Sequence, residues 1–325
     1  MASTYLTLVN NVLRDFNEVE LTSSNFGTSR GVQTAVKDYV NRGITDILNS
    51  ELNWPFTRAE GSVDVIAGKQ LYSYASIAST LKYVDYDNMF LRPKNYITNG
   101  TYEVSGSASI TGWTTVSGSP AASSKFGNTL LLTSAKVTQE ISDLIVGRSY
   151  IILTQTSGGT LTLDVGTSSG GSQTKSATLT ISNANEVSIN ETTFTATAVT
   201  HFVSFTEGSG NAAHVKLVEL SENVESIPLR YISYEEYNER YRDRDSRPDS
   251  DKFADPEYVY TTYNDEIGLT PIPDTSNRTL EFDYYVSHTD LSGATDTSII
   301  PTRFEPVVNA RAKYYTHVFR SDVQS

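Results

Sequence analysis

Apolar residues at three- and four-residue steps mark the start of the chain as helical. Leu6, Val9, Leu13 and Phe16 predict a short first helix. Val32, Val36, Val40, Ile44, Ile47 and Leu48 form one stripe that predicts a longer second helix. Ser29 stands where a hydroxyl would cap that second helix. The period then drops to two in "NWPFTRAEGSVDVIAGKQLYSY", which predicts a strand pair with a Gly-bounded turn, cornered by Trp54-Pro55 with Trp54 as a core anchor. Further on, Ser233 with Glu236 three residues later has capping-box spacing, and Ile232 can staple onto Tyr237, so "ISYEEYNERY" predicts a helix start. "EYVYTTYNDEIGLTPIPDTSNRTLEFDYYVSHTDL" predicts strands parted by "PIPDTSN". "IPTRFEPVVNARAKYYTHVFR" predicts a closing helix whose apolar side is Val307, Val308, Tyr315, Val318 and Phe319.

Between these outer segments the pattern changes. Residues 95–222 are rich in Ser, Thr and Gly and hold eight short β-type runs, "NTLLLTS", "KVTQEIS", "SYIILTQTS", "GTLTLDVGTS", "SATLTIS", "ETTFTATA", "HFVSFTEGS" and "AHVKLVEL", separated by turn signals. Residues 1–94 carry nine basic and ten acidic side chains and residues 223–325 carry eleven and nineteen, but the longer middle carries only five and nine. Excising the middle joins "YVDYDNMFLRP" to "IPLRYISYEEYNERY" and leaves a continuous strand-to-helix passage of ordinary single-domain size. A folded guest with neighbouring ends sits in a surface loop at modest entropic cost, about 0.6 kcal/mol per doubling of loop length. The expected fold class is α+β: a helical-bundle domain with a small β-sheet, built from residues 1–94 and 223–325 and interrupted by an all-β jelly-roll or β-sandwich domain at 95–222.

The 325 residues include no cysteine, which excludes a disulfide framework, a thiolate metal site and a cysteine nucleophile. The net charge of -13 argues against a grip on nucleic acid, although an acidic surface lets DNA pass without sticking. No apolar run approaches the roughly 20 residues of a membrane span, and the N-terminus lacks the basic start and cleavage site of a signal peptide, so a product made in the cytoplasm is expected. His201, His214, His288 and His317 lack paired-ligand spacing, "TSSGGSQ" lacks the Lys-Ser/Thr and helix of a phosphate loop, and Glu281 and Asp283 do not make an acid pair. Neither a cofactor nor an enzymatic activity is expected.

The middle segment's order "NGTYE", "GW", "LLLTS", "VTQEIS", "GRSYIILT", "GGTLTLDVG", "TTFTATA", "VSFTEG" and "HVKLVEL" resembles carbohydrate-binding jelly-roll modules. That resemblance implies structural roles for Asn99, Gly100, Glu103 and Trp113, with Trp113 packed inside. It also implies a calcium near the first strand, but Ala213 and His214 stand where the late acidic ligand would open the last strand, so calcium is not expected.

The outer segments, through "LVNNVLRDFNEVEL", "VKDYVNRGITDILNSELNWPFTRAEGSVDV", "PLRYISYEEYNERY", "IGLTPIPD", "LEFDYYV" and "IPTRFEPVVNARAKYYTHVF", resemble the head-to-tail adaptors of short-tailed bacteriophages, also called tail tubular protein A or tail accessory factor. The resemblance implies a virion protein forming a twelve-subunit ring between the portal protein and the tail nozzle or hub protein. DNA would pass through its bore, and the inserted domain would decorate the neck or contact tail fibres. Such adaptors continue past the "IP" helix into a portal-docking arm, which is either lost here or lies beyond the numbered "RSDVQS". The run "ERYRDRDSRPDSDKF" alternates in sign, as suits inter-subunit ion pairs or a solvated loop. Arg240, Arg242, Arg244 and Arg247 are the candidates for ring or portal contacts, since Arg pairs carboxylates in bidentate fashion. The alternative is a tail-fibre-associated or surface glycan-binding protein in which the β domain does the binding.

Overall fold

A computed structural model describes residues 3–51, 53–179, 181, 186–247 and 252–323. The chain divides into two compact units. One comprises Met1–Phe90, Pro228–Asp274 and Leu280–Ser325, and the other comprises Leu91–Ile227 with Thr275–Thr279. Composition changes at 95 and 222, whereas compactness divides at 91 and 228. Residues 275–279 join the second unit because Asn277 accepts from the Lys94 amide (2.8 Å) and bonds to Glu222, while Arg278 donates to the Glu225 carbonyl (2.8 Å).

In the first unit, α1 (Tyr5–Asp15) is capped by the Thr4 hydroxyl, which accepts from the Thr7 amide. Its buried face is Tyr5, Leu8, Val9, Val12 and Leu13, rotated from the predicted Leu6-Phe16 stripe so that those two end residues are only partly covered. The predicted stripe of α2 (Val32–Ser50) packs as expected through Val36, Val40, Ile44 and Leu48. Its start does not: the cap position is Gly31 at φ 59° with no side-chain cap, and Ser29 instead accepts the Thr34 hydroxyl on its carbonyl. A Cβ on Gly43 would lie 3.3 Å from the Val308 carbonyl, which measures how closely α2 meets the closing helix.

After α2 come β1 (Arg58–Asp64), β2 (Leu71–Ser73), α3 (Tyr74–Ile77) and β3 (Leu81–Pro93). After the second unit come β16 (Ile227–Pro228), β17 (Arg230–Tyr231), α4 (Tyr234–Arg240), α5 (Arg242–Asp245), β18 (Tyr258–Thr261), β19 (Glu266–Thr270), β20 (Arg278–Val286) and α6 (Glu305–Val323). The strands form two four-stranded sheets rather than one small sheet, ordered β1-β20-β3-β16 and β17-β18-β19-β2. The predicted pairing of β1 with β2 is therefore corrected. The turn between them is fastened by the Gly68 amide to the Pro273 carbonyl (2.8 Å), and β2 pairs with β19 instead. Ser233 caps α4 as its spacing predicts, accepting from the Glu236 amide at 3.1 Å, and Ile232 clusters with Tyr237 and Tyr260. In α6, Val308, Ala312 and Thr316 are buried, but Val307 and Val318 are 53% and 41% exposed, so the predicted apolar side is split over two faces.

The second unit is a β-sandwich. Its strands are β4 (Glu103–Val104), β5 (Ser107–Ala108), β6 (Thr114–Ser117), β7 (Ala121–Ser123), β8 (Thr129–Leu132), β9 (Lys136–Ile141), β10 (Ser149–Gly158), β11 (Leu161–Gly166), β12 (Lys175–Leu179), β13 (Ser188–Thr195), β14 (His201–Glu207) and β15 (Ala213–Glu222). Two five-stranded sheets, β13-β10-β15-β8-β7 and β12-β11-β14-β9-β6, enclose the core. Registers such as Ile152 opposite Leu220 and Leu163 opposite Phe205 put alternate residues inside, as the pleat requires. Each of the eight sequence runs contains or overlaps one of the strands from β8 to β15.

Glu207, at the end of β14, is 1% exposed. Burial pushes its carboxyl pKa up, but the Ser209 hydroxyl and the Ser134, Ser209 and Gly210 amides all donate to it and bring it down from 4.5 to about 2. A depressed folded-state pKa stabilises the sandwich above the unfolded value and loses that contribution as pH falls from about 4.5 toward 2. Glu207→Gln should cost up to about 3 kcal/mol at pH 7 and flatten the acid limb of the sandwich transition, read by calorimetry across that window. In the first unit, Val40→Asp places a charge on a residue with no exposed surface. It should lower stability by at least about 4 kcal/mol, seen as loss of the cooperative circular-dichroism melt.

Candidate interaction surfaces

The arginine-rich run folds as α4 and α5, up to residue 247; residues 248–251 lie outside the described residues. Arg240 pairs with Glu236 at 3.0 Å one turn away, Arg242 donates to Asn238 at 3.2 Å, and Arg247 pairs with Asp243 at 2.7 Å. These three are surface side chains engaged in local pairs. Arg244 differs: it turns inward to the Thr270 hydroxyl (2.7 Å) and to Asp245 (3.0 Å), whose side chain is 1% exposed. Asp245 also accepts from Thr270 (2.7 Å) and from the Gln70 amide (2.9 Å). Arg244 therefore fastens α5 to β19, and alternating charge alone could not distinguish this one inward arginine from its neighbours.

Trp54 is partly buried and packs against the helical core, yet it also forms the wall between two surface pockets. Its indole donates to the Ile47 carbonyl (3.0 Å) and stacks on Phe56 at 5.3 Å, with Phe304 at 6.3 Å. On one side Ile47, Ser50, Phe56, Phe304 and Val307 line an apolar groove of about 180 Å³. On the other, Thr45, Asn49, Thr57, Lys82 and His288 line a more polar pocket of similar volume, and burial pushes the His288 pKa down. Arg303 lies over the Phe304 ring at 4.9 Å. The apolar stripe places Val307 on the buried side of α6, but it is Val308, one position on, that is covered, which leaves Val307 at the groove.

The sandwich treats its aromatics differently. Tyr102, Trp113, Tyr150, Phe194 and Phe205 are buried, and Tyr96, Phe126 and Phe202 are half-buried, so none of the unit's aromatics is fully exposed. Trp113 packs inside against Tyr102 (5.6 Å) and Phe205 (5.7 Å) and donates to the Asn99 carbonyl. Asn99, at φ 51°, donates to the Ser109 and Thr111 carbonyls. A Cβ on Gly100 would fall 2.0 Å from the Val218 carbonyl, so only glycine allows the Val218 amide to reach the Gly100 carbonyl at 2.9 Å. Glu103 is exposed on β4. The Asn99 side-chain oxygen is buried without a partner, but Glu103 faces solvent, Ala213 offers no side-chain oxygen and His214 is engaged with the Thr129 hydroxyl at 3.2 Å, so this donor set does not fit calcium.

Among the described residues no three His, Asp or Glu side chains gather to hold a metal. His201 sits in the sandwich core beside Thr197, and His317 packs on Phe16 at 4.6 Å.

Residues 177–324 match the family described as SU10 adaptor protein, a stretch that runs from β12 through α6. No curated protein matches the chain. Among solved structures, the module TmCBM61 in complex with beta-1,4-galactotriose is 16% identical over 40% of this chain and 99% of its own, with a TM-score of 0.31. The enzymatically active domain of tailspike protein 4 of bacteriophage CBA120 is 16% identical over 39% of this chain and 21% of its own, with a TM-score of 0.32. The CBM22-1 xylan-binding domain of Paenibacillus barcinonensis Xyn10C is 10% identical over 40% of this chain and 95% of its own, with a TM-score of 0.32.

The different placements of the arginines make a direct test. Arg244→Ala should lower the melting stability by about 1–3 kcal/mol by stranding the buried Asp245. Arg240→Ala should stay within about 0.5 kcal/mol of the parent in the same melt.

Proposed function

We propose that this chain is a structural component of a bacteriophage virion, an adaptor that joins the portal protein to the tail nozzle or hub protein. The observation that carries this reading is the match of residues 177–324 to the SU10 adaptor family, which includes all but the last residue of the second outer segment. In this reading the copies form a twelve-membered ring whose acidic charge lets DNA pass during ejection without being held. Arg240, Arg242 and Arg247, already in local pairs at the surface, would re-pair with a neighbouring copy or the portal, whereas Arg244 would remain structural. The sandwich would decorate the neck or contact tail fibres.

A glycan-binding role for the sandwich is the weaker reading on this surface. Sugars are commonly held by stacking on open aromatic faces, and the unit's aromatic rings are committed to its core or half-covered.

Negative-stain electron microscopy of the protein mixed with a cognate portal ring tests the adaptor reading. A twelve-fold collar on the portal is the expected image. Dispersed single particles beside bare portals would reject the adaptor role.

A further inference from the structure

The loop after α1 holds an apolar side chain out into solvent. Val19 is 75% exposed, the highest value among the large aliphatic side chains of the described residues. Such a residue at a loop tip is ordinarily unremarked, but this loop is fastened on every side. Asn17 takes a left-handed turn at φ 55°, and Asn10 clamps Leu21 by bonds to both its amide (2.8 Å) and its carbonyl (2.9 Å). Gln33 donates to the Val19 carbonyl at 2.9 Å, and Glu18 and Glu20 are tied to Arg320 and Arg14. The result is a preformed apolar knob with a carboxylate on each flank, whose ordering cost is met before anything binds.

The Trp54 groove has the opposite character. It is an apolar hollow of about 180 Å³, larger than the roughly 150 Å³ cavity that accepts a benzene ring. Lys82 lies in the pocket across Trp54, and Arg303 lies over Phe304, so its surroundings carry basic groups in a strongly acidic chain. Knob and hollow cannot meet within one molecule. Gln33, which holds Val19, is in the first turn of α2, while Ile47 and Ser50 of the groove are in its last, and 19 residues of helix span about 28 Å.

We infer that a second copy of this chain seats its Val19 in the Trp54 groove, with Glu18 and Glu20 exchanging their present partners, Arg320 and Arg14, for the basic groups around it. A contact between two different patches at opposite ends of the same helix is heterologous, and such contacts repeat head to tail, giving a ring where the rotation between copies closes and an open filament where it does not. The inference deepens the proposed function and rests on the reading of the chain as a component that assembles with itself. It assigns a contact that the arginine candidates do not supply.

The chain has no cysteine, which makes thiol trapping clean. Val19→Cys and Val307→Cys are prepared singly, since both positions are more than half exposed and either variant should fold. They are mixed in equal amounts at high concentration and oxidised. A covalent dimer in the mixture, with little in either variant alone, is the expected result, and the double variant should give a ladder of multimers. Val19→Asp should weaken self-association by about tenfold or more in sedimentation. Rings or oligomers in microscopy without the mixed cross-link would overturn this contact and leave the adaptor reading standing. Self-linked single variants would overturn it in favour of a two-fold contact. A chain that stays monomeric in sedimentation with no cross-link would overturn it as well, and a bare portal would then remove the adaptor reading independently.

Discussion

The fold depends on two closures made on either side of one long excursion. In the first unit the Leu229 amide donates to the Met89 carbonyl at 2.9 Å, so strands that are remote in sequence are neighbours in one sheet. In the second unit the Tyr96 amide donates to the Leu220 carbonyl at 2.8 Å, and Asn95 accepts from both the Ile97 amide (3.0 Å) and the Leu220 amide (3.1 Å). Each unit thus ties its own ends together. Because loop-closure entropy grows only logarithmically, a folded guest between Met89 and Leu229 strains the host little more than a shorter loop would.

The host's core inherits the consequence. Its helical layer is assembled from both outer segments: Asn41 of α2 bonds the Leu291 amide and carbonyl, and the Tyr5 and Leu6 amides donate to Asp296 and Ala294. Gly43 lets α6 approach α2 closely, and Glu305 at the start of α6 accepts from the Ser3 amide and hydroxyl at 2.7 Å. The N-terminal helices cannot complete their packing until the chain beyond the sandwich has arrived. A guest that folds through its own closure does not obstruct that meeting.

What the sequence disclosed follows from which signals are local. The α2 stripe, the Ser233 cap and the period-two runs from β8 to β15 are written in neighbouring residues, and each maps onto an element. The signals that misled were also local but were decided by distant partners. The alternation around Gly68 resembled a hairpin until Pro273 and β19 took its two halves into different sheets. Val307 and Val308 are equally apolar, and only the position of α2 determines that Val308 is covered. Among four arginines in one run, Arg244 alone meets a buried carboxylate, and that carboxylate is held by Thr270 and Gln70 from outside the run.

The distribution of exposed apolar surface then separates the two units by task. The sandwich buries or half-buries its aromatic rings and presents scattered aliphatic residues, as a self-sufficient domain does. The host buries its helical layer but leaves Val19 on a pinned loop, Val307 beside an aromatic hollow, and Tyr314 and Val318 further along the same face of α6. Rigid apolar features at defined places cost solubility in a monomer, and they persist most naturally where a neighbour covers them. Under the proposed self-contact, a change that empties the host's surface features should therefore affect assembly before stability, whereas a change in the sandwich core should affect the sandwich alone.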